Sequence, residues 1–195
     1  MKRIGARLHG HLHDLDAFQG KATHYNRLTG LAPWLYRRIA RDIAAAAPPN
    51  ASVLDVGTGP GRLLVVLARI RPDLNLTGLD PATDMVATAQ RQLAEFAGRA
   101  TAVVGDAADL PFEPDTFDVV VSSLSLHHWA DAPGGGAEAA RVLRDGGQIR
   151  IYDMPFAPFA ELTTGAGMVG GPPPEKFRLT ALPVPYLRRL VLTPG

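Results

Sequence analysis

Short apolar runs alternate with longer segments whose apolar residues recur every third or fourth position, and this alternation organises the chain from about residue 31 onward. Residues 31–47 predict a helix. Pro33 suits a first helical turn, Trp34, Leu35, Ile39 and Ile43 recur at helical spacing, and Pro48-Pro49 stops the run. Residues 52–56 predict a short buried strand, closed by a turn carrying Gly57, Gly59 and Gly61, and 62–69 continue as helix. The same order returns with 74–79 as strand and 84–96 as helix. Strands at 101–104 and 117–122, a helix at 138–144 and a strand at 148–152 follow. Repeated strand-turn-helix units predict an α/β fold: a Rossmann-like, doubly wound sheet, mostly parallel, with helices on both faces. After Asp153, Pro and Gly punctuate 154–175, and 177–182 with 186–193 predict a closing antiparallel strand pair.

The 195 residues fit one domain. Within it, 1–50 read as a helical flank or lid, 51–153 as the core and 154–195 as a short, loop-rich cap with the closing strands. Lys and Arg number 20 against 19 Asp and Glu, and this balance offers no electrostatic argument for a nucleic-acid partner. Arg37, Arg38, Arg41, Arg188 and Arg189 read as a solvated face. With no cysteine, disulfides, thiolate zinc sites, iron–sulfur clusters and cysteine nucleophiles are excluded. The apolar runs, such as 63–68, fall far short of the roughly 20 residues that span a bilayer. The amino terminus is positively charged but lacks the apolar stretch of a secretory signal, so a cytoplasmic protein is expected.

The ends of the strands carry the chemistry, because ligands of open α/β sheets bind beyond the carboxyl ends of the strands. Asp55 stands near the end of the first strand, before a turn in which glycines let backbone approach a ligand closely. Asp80, followed by Pro81, lies just past the second strand, suited to accept hydrogen bonds from a ribose, and Asp106 follows Gly105 just past the third. A dinucleotide fingerprint would need a third glycine where Arg62 stands, so the spacing argues against NAD. His127 and His128 follow the fourth strand in Ser125-Leu126-His127-His128-Trp129, and histidine has the pKa of a general base near neutrality. His9, His11 and His13 have nothing nearby to complete a coordination set, and no metal is expected.

Five segments in this order resemble the class I S-adenosylmethionine-dependent methyltransferases, most closely the ubiquinone/menaquinone-biosynthesis-like small-molecule branch. They are 53–61 (VLDVGTGPG), 78–81 with Met85, 105–112 (GDAADLPF), 117–123 (FDVVVSS) and 141–147 (RVLRDGG). The resemblance runs from about Tyr25 to Tyr152. It implies S-adenosyl-L-methionine as cofactor. The turn with Asp55, Gly57, Thr58, Gly59 and Gly61 would lie against its amino-acid end, and Asp80 and Pro81 beside the ribose. Met85 would sit near the adenine, Asp106 with Gly105 and Ala107 at the adenine edge, Ser123 and Leu124 beside the methionine moiety, and Tyr25 over the site. It also implies methyl transfer to an O, N or C atom of a small, partly apolar metabolite, releasing S-adenosylhomocysteine. The alternative is a cofactor-binding partner or regulatory protein of the same fold without methyl transfer. The branch commonly caps its acceptor pocket with helices where this chain has only 154–175. Three arrangements follow: an open pocket, a lid from the second subunit of a homodimer, or a loop that orders with substrate. Trp34, Trp129, Phe156, Phe159 and Met168 are candidates either to line an apolar acceptor site or to pack in the core.

Overall fold

The computed structural model describes residues 33–168, 172–178 and 187–193. Tyr25, the histidines at 9, 11 and 13, and the start of the first predicted helix lie outside the described residues. The first described helix, α1 (Pro33–Ala46), buries Ile39, Ala40 and Ile43, the stripe that helical spacing predicts. Two strand–helix units follow, β1 (Ser52–Val56) with α2 (Arg62–Ile70) and β2 (Asn75–Asp80) with α3 (Thr83–Leu93), and then the strand β3 (Ala100–Val104). β4 (Phe117–Ser123), α4 (Ala132–Arg141), β5 (Leu143–Asp153) and α5 (Phe159–Gly165) continue the chain, and β6 (Glu175–Phe177) and β7 (Leu187–Leu192) complete a seven-stranded sheet.

The strand order is β3-β2-β1-β4-β5-β7-β6, with β1 to β5 parallel and β7 antiparallel to both β5 and β6. The doubly wound sheet with an antiparallel closing pair is the expected fold class. β1 lies between β2 and β4, and four of its five residues are buried. A strand covered on both faces by helices reads as a continuous apolar run for this reason. Alternate residues serve opposite faces. Val53, Leu76, Val119, Val121 and Tyr152 pack with α1, α2 and α3, whereas Leu54, Val56, Leu79, Val120 and Ile149 pack with α4 and α5.

Two helices depart from the sequence pattern. α4 begins at Ala132, six residues before the predicted start, and takes in the run Gly134-Gly135-Gly136 that reads as loop. Asp131 caps it by accepting the Gly134 N–H at 2.8 Å, and Pro133 sits in its first turn. The glycines have a packing reason. A Cβ on Gly136 would run into the Leu162 carbonyl of α5, and one on Gly165 into the Pro133 carbonyl, so the two helices approach at backbone distance. α5 occupies part of the predicted loop and buries Phe159 and Leu162.

On the opposite face a charged cluster ties α1 to the closing strands. Asp42 of α1 accepts hydrogen bonds from Arg150 Nη2 and Tyr152 Oη, both at 2.7 Å, and from Arg189 Nη1 at 2.8 Å. Arg38 and Arg189 both lie against the Phe177 ring, and Arg189 also pairs with Glu175, so these two arginines are not the solvated face expected of them. Burial alone would push the Asp42 carboxyl up, but the hydrogen bonds from Tyr152, Arg150 and Arg189 outweigh it and hold it below its ordinary value. Such a carboxylate stabilises the fold above its unfolded pKa, and the contribution fades as pH falls through the folded one. Asp42→Ala leaves the buried Arg150 without its charge partner. Urea unfolding near neutral pH is expected to show a loss of about 3–5 kcal/mol with an unchanged m-value.

Candidate functional site

The parallel register brings the carboxyl ends of β1, β2 and β3 to one edge. Asp55 pairs with Gly78 across β1 and β2, and Asp80 with Val104 across β2 and β3. Asp55 is fully buried. Its Oδ2 accepts the Thr58 hydroxyl at 2.8 Å, while Oδ1 has no hydrogen-bond partner among the described residues. Burial pushes this carboxyl up to about 7; the Thr58 hydrogen bond opposes the shift and the neighbouring Asp80 adds to it.

The turn after β1 is pinned to the end of β2. Gly57 and Thr58 both donate their N–H to the Leu79 carbonyl, at 2.8 and 2.9 Å, and Gly59 donates to Asp80 Oδ2 at 2.8 Å. Ala82 donates to Asp80 Oδ1 at 3.0 Å, so each oxygen of Asp80 holds one backbone N–H and keeps a lone pair for another donor. Burial raises the Asp80 carboxyl above its ordinary value, with the Ala82 and Gly59 N–H groups opposing and Asp84 adding. Gly59 has φ +53°, and among the described residues nothing lies within 4 Å of where a Cβ would stand, so these residues leave a cradle that a side chain would fill. α2 starts at Arg62 after Gly61 without a side-chain cap.

Met85 is buried in the first turn of α3, whereas Pro81 is exposed. Past β3, Asp106 accepts the Ala108 N–H at 2.9 Å and presents an exposed carboxylate, flanked by the half-buried Gly105 and Ala107. Asp55, Gly57, Thr58, Gly59 and Asp80 thus form one hydrogen-bonded group, with Asp106 at the next strand end. An orphaned carboxylate oxygen, an open glycine cradle and acids with spare lone pairs fit a ligand rich in hydroxyl and amino donors.

β4 delivers the remaining candidates. Ser123 is buried at its end, and Leu124, with φ +56°, takes a left-handed conformation that costs a non-glycine residue about 1–3 kcal/mol. Leu124 donates its N–H to the Tyr152 carbonyl at 2.8 Å. A Cβ on Gly57 would collide with the side chain of Ser125, so this loop packs directly on the glycine turn. The Ser125 hydroxyl accepts Trp129 Nε1 at 3.0 Å.

His127 and His128 lie in the short helical turn that follows, their rings 4.0 Å apart. His127 Nδ1 lies 2.6 Å from the fully buried Asp153 at the end of β5. The sequence reading missed Asp153 and Ser125, and 26 residues separate Asp153 from its histidine. Of the apolar candidates, Phe159 is buried in the core and Trp129 and Met168 pack against it, whereas Phe156 is 72% exposed and sets its ring edge-on to His127. Trp34 is exposed on α1. Among the described residues there is no group of side chains that could hold a metal ion, and no helix is long and apolar enough to cross a membrane.

Residues 53–147 match a family model described as a methyltransferase domain. A demethylmenaquinone methyltransferase of Roseiflexus castenholzii is 38% identical over 57% of this chain and 47% of its own length. A malonyl-[acyl-carrier protein] O-methyltransferase of Herminiimonas arsenicoxydans is 34% identical over 78% of this chain and 55% of its own length. The chain spans about half the length of the curated relatives it matches. A solved structure from Methanococcus maripaludis, assigned as an S-adenosyl-L-methionine-dependent methyltransferase, superposes with a TM-score of 0.69 over 88% of this chain and 91% of that one. At 21% identity the likeness concerns the fold.

The raised Asp55 carboxyl makes stability depend on pH. Between about pH 4 and pH 7 the folded chain holds a proton that the unfolded chain has released, so stability falls as pH rises through that window. Thermal unfolding of the ligand-free protein is expected to show this decline, and Asp55→Asn to flatten it and to be the more stable protein at pH 8. Identical profiles for the two proteins would contradict the assignment.

Proposed function

We propose that the chain, whose residues 53–147 match a methyltransferase domain, binds S-adenosylmethionine at the edge formed by β1, β2 and β3 and transfers its methyl group to a small-molecule acceptor, releasing S-adenosylhomocysteine. The observation that carries this reading is the buried group of Asp55, the glycine turn and Asp80. The cofactor supplies an electrophilic methyl on a sulfonium that is already a good leaving group. The protein's work is therefore to hold donor and acceptor in line and to exclude water.

In this reading Asp80 takes the ribose hydroxyls on the lone pairs that Gly59 and Ala82 leave open. Asp55, Gly57, Thr58, Gly59 and Gly61 line the amino-acid end, where the orphan Oδ1 of Asp55 meets a donor. Pro81 and Met85 flank the ribose and adenine, Gly105, Asp106 and Ala107 meet the adenine edge, and Ser123 and Leu124 border the methionine moiety. A hydroxyl donating to an ionised carboxylate contributes about 1.5–3 kcal/mol.

Calorimetric titration with S-adenosylhomocysteine tests the reading. Wild-type protein is expected to bind, Asp80→Ala to bind at least about tenfold more weakly because one such hydrogen bond exceeds 1.4 kcal/mol, and NAD to give no heat. A folded wild-type protein that binds no S-adenosylhomocysteine would overturn it.

A further inference from the structure

Resting on the methyl-transfer reading, we infer that Asp153 is a positioning residue that makes His127 the proton acceptor for the transfer, and that the acceptor is a hydroxyl on an apolar, ring-bearing body. Three groups converge on the Asp153 carboxylate. The Met154 N–H donates to Oδ1 at 2.6 Å, the His127 N–H donates to Oδ2 at 3.3 Å, and His127 Nδ1 lies 2.6 Å from Oδ1. The two backbone groups can only donate, and an ionised carboxylate can only accept, so with Asp153 ionised the ring proton sits on Nδ1. That tautomer gives the other ring nitrogen, Nε2, the lone pair that a general base needs. Asp153 is fully buried and paired to His127 from two directions, main chain and side chain, which holds the imidazole in one orientation.

The place of the pair in the fold supports the role. Ser125 packs on Gly57 of the glycine turn, and His127 is two residues further along the same loop, at the strand edge that carries Asp80. The surroundings of the base are aromatic and apolar: the His128 ring lies at 4.0 Å, the Phe156 ring meets it edge-on at 5.7 Å, and Met154 and Phe156 are exposed. Such a surface suits a ring against Phe156 with its hydroxyl turned to Nε2. As the acceptor oxygen bonds to the methyl carbon, the carbon–sulfur bond breaks with its electron pair going to sulfur. The hydroxyl proton passes to Nε2, leaving an imidazolium whose Nδ1–H stays on the Asp153 carboxylate.

The test is methylation of a series of para-substituted phenols, from methoxy to nitro, with S-adenosylmethionine as donor, by wild type, His127→Ala and Asp153→Asn. S-adenosylhomocysteine titration of all three proteins accompanies it. Losing a general base costs about 10²–10⁴-fold in rate when the acceptor must give up its proton. His127→Ala is expected to lose that much on methoxyphenol and little on nitrophenol, which ionises without help. Asp153→Asn is expected to follow the same trend with a smaller loss, and all three proteins to bind S-adenosylhomocysteine alike. Losses equal across the series, as a purely structural role would give, overturn the inference, as does a wild-type protein that binds S-adenosylhomocysteine but methylates no phenol. A wild-type protein that fails to bind it overturns the underlying reading first, and this inference with it.

Discussion

β1 is hydrogen-bonded in parallel to β2 on one side and to β4 on the other, and the site follows from that double pairing. Parallel neighbours need crossover helices, the helices bury both faces of the strand, and every carboxyl end then opens on one edge of the sheet. Asp55, Asp80 and Asp106 reach that edge because each lies near or just past the end of its strand. The cost falls on Asp55, a buried carboxylate with one oxygen unpartnered among the described residues, and it appears as a raised pKa. A group placed for stability alone would not be left in that condition.

The two faces of the sheet are secured by different physics. Glycine brings α4 and α5 into backbone contact over one face, although glycine in a helix costs about 1 kcal/mol relative to alanine. The other face is locked by the Asp42 cluster, in which one carboxylate serves two arginines and a tyrosine from β5 and β7. The Asp42 cluster draws on the closing part of the sheet, away from the edge formed by β1, β2 and β3. Adjacent residues of β5 divide the work: Tyr152 turns its hydroxyl to Asp42, and Asp153 meets His127. The strand that anchors α1 is therefore also the strand that orients the histidine.

Most of the sheet and most of the candidate site were legible in the chain. The apolar runs within β1 and β4 mark their strands closely because strands buried on both faces favour apolar residues. The glycine turn and the acids after three successive strands were visible as a local pattern. The start of α4 was not, because glycine opposes helix formation locally and only the approach of α5 explains its presence. For the same reason α5 was hidden in a stretch dominated by Pro and Gly.

The sequence by itself determined the order of the strands β1 to β5, the parallel sheet and the acids and glycines near the strand ends, since each depends on periodicity or on residues a few positions apart. Only the tertiary structure decided which carboxylates are buried, which arginines are paired and which histidine is oriented. Asp42 meets Arg150 and Arg189 across 108 and 147 residues, and His127 meets Asp153 across 26. Pairings of that separation are set by sheet register and helix placement, and neither is written in the local spacing of the residues that take part.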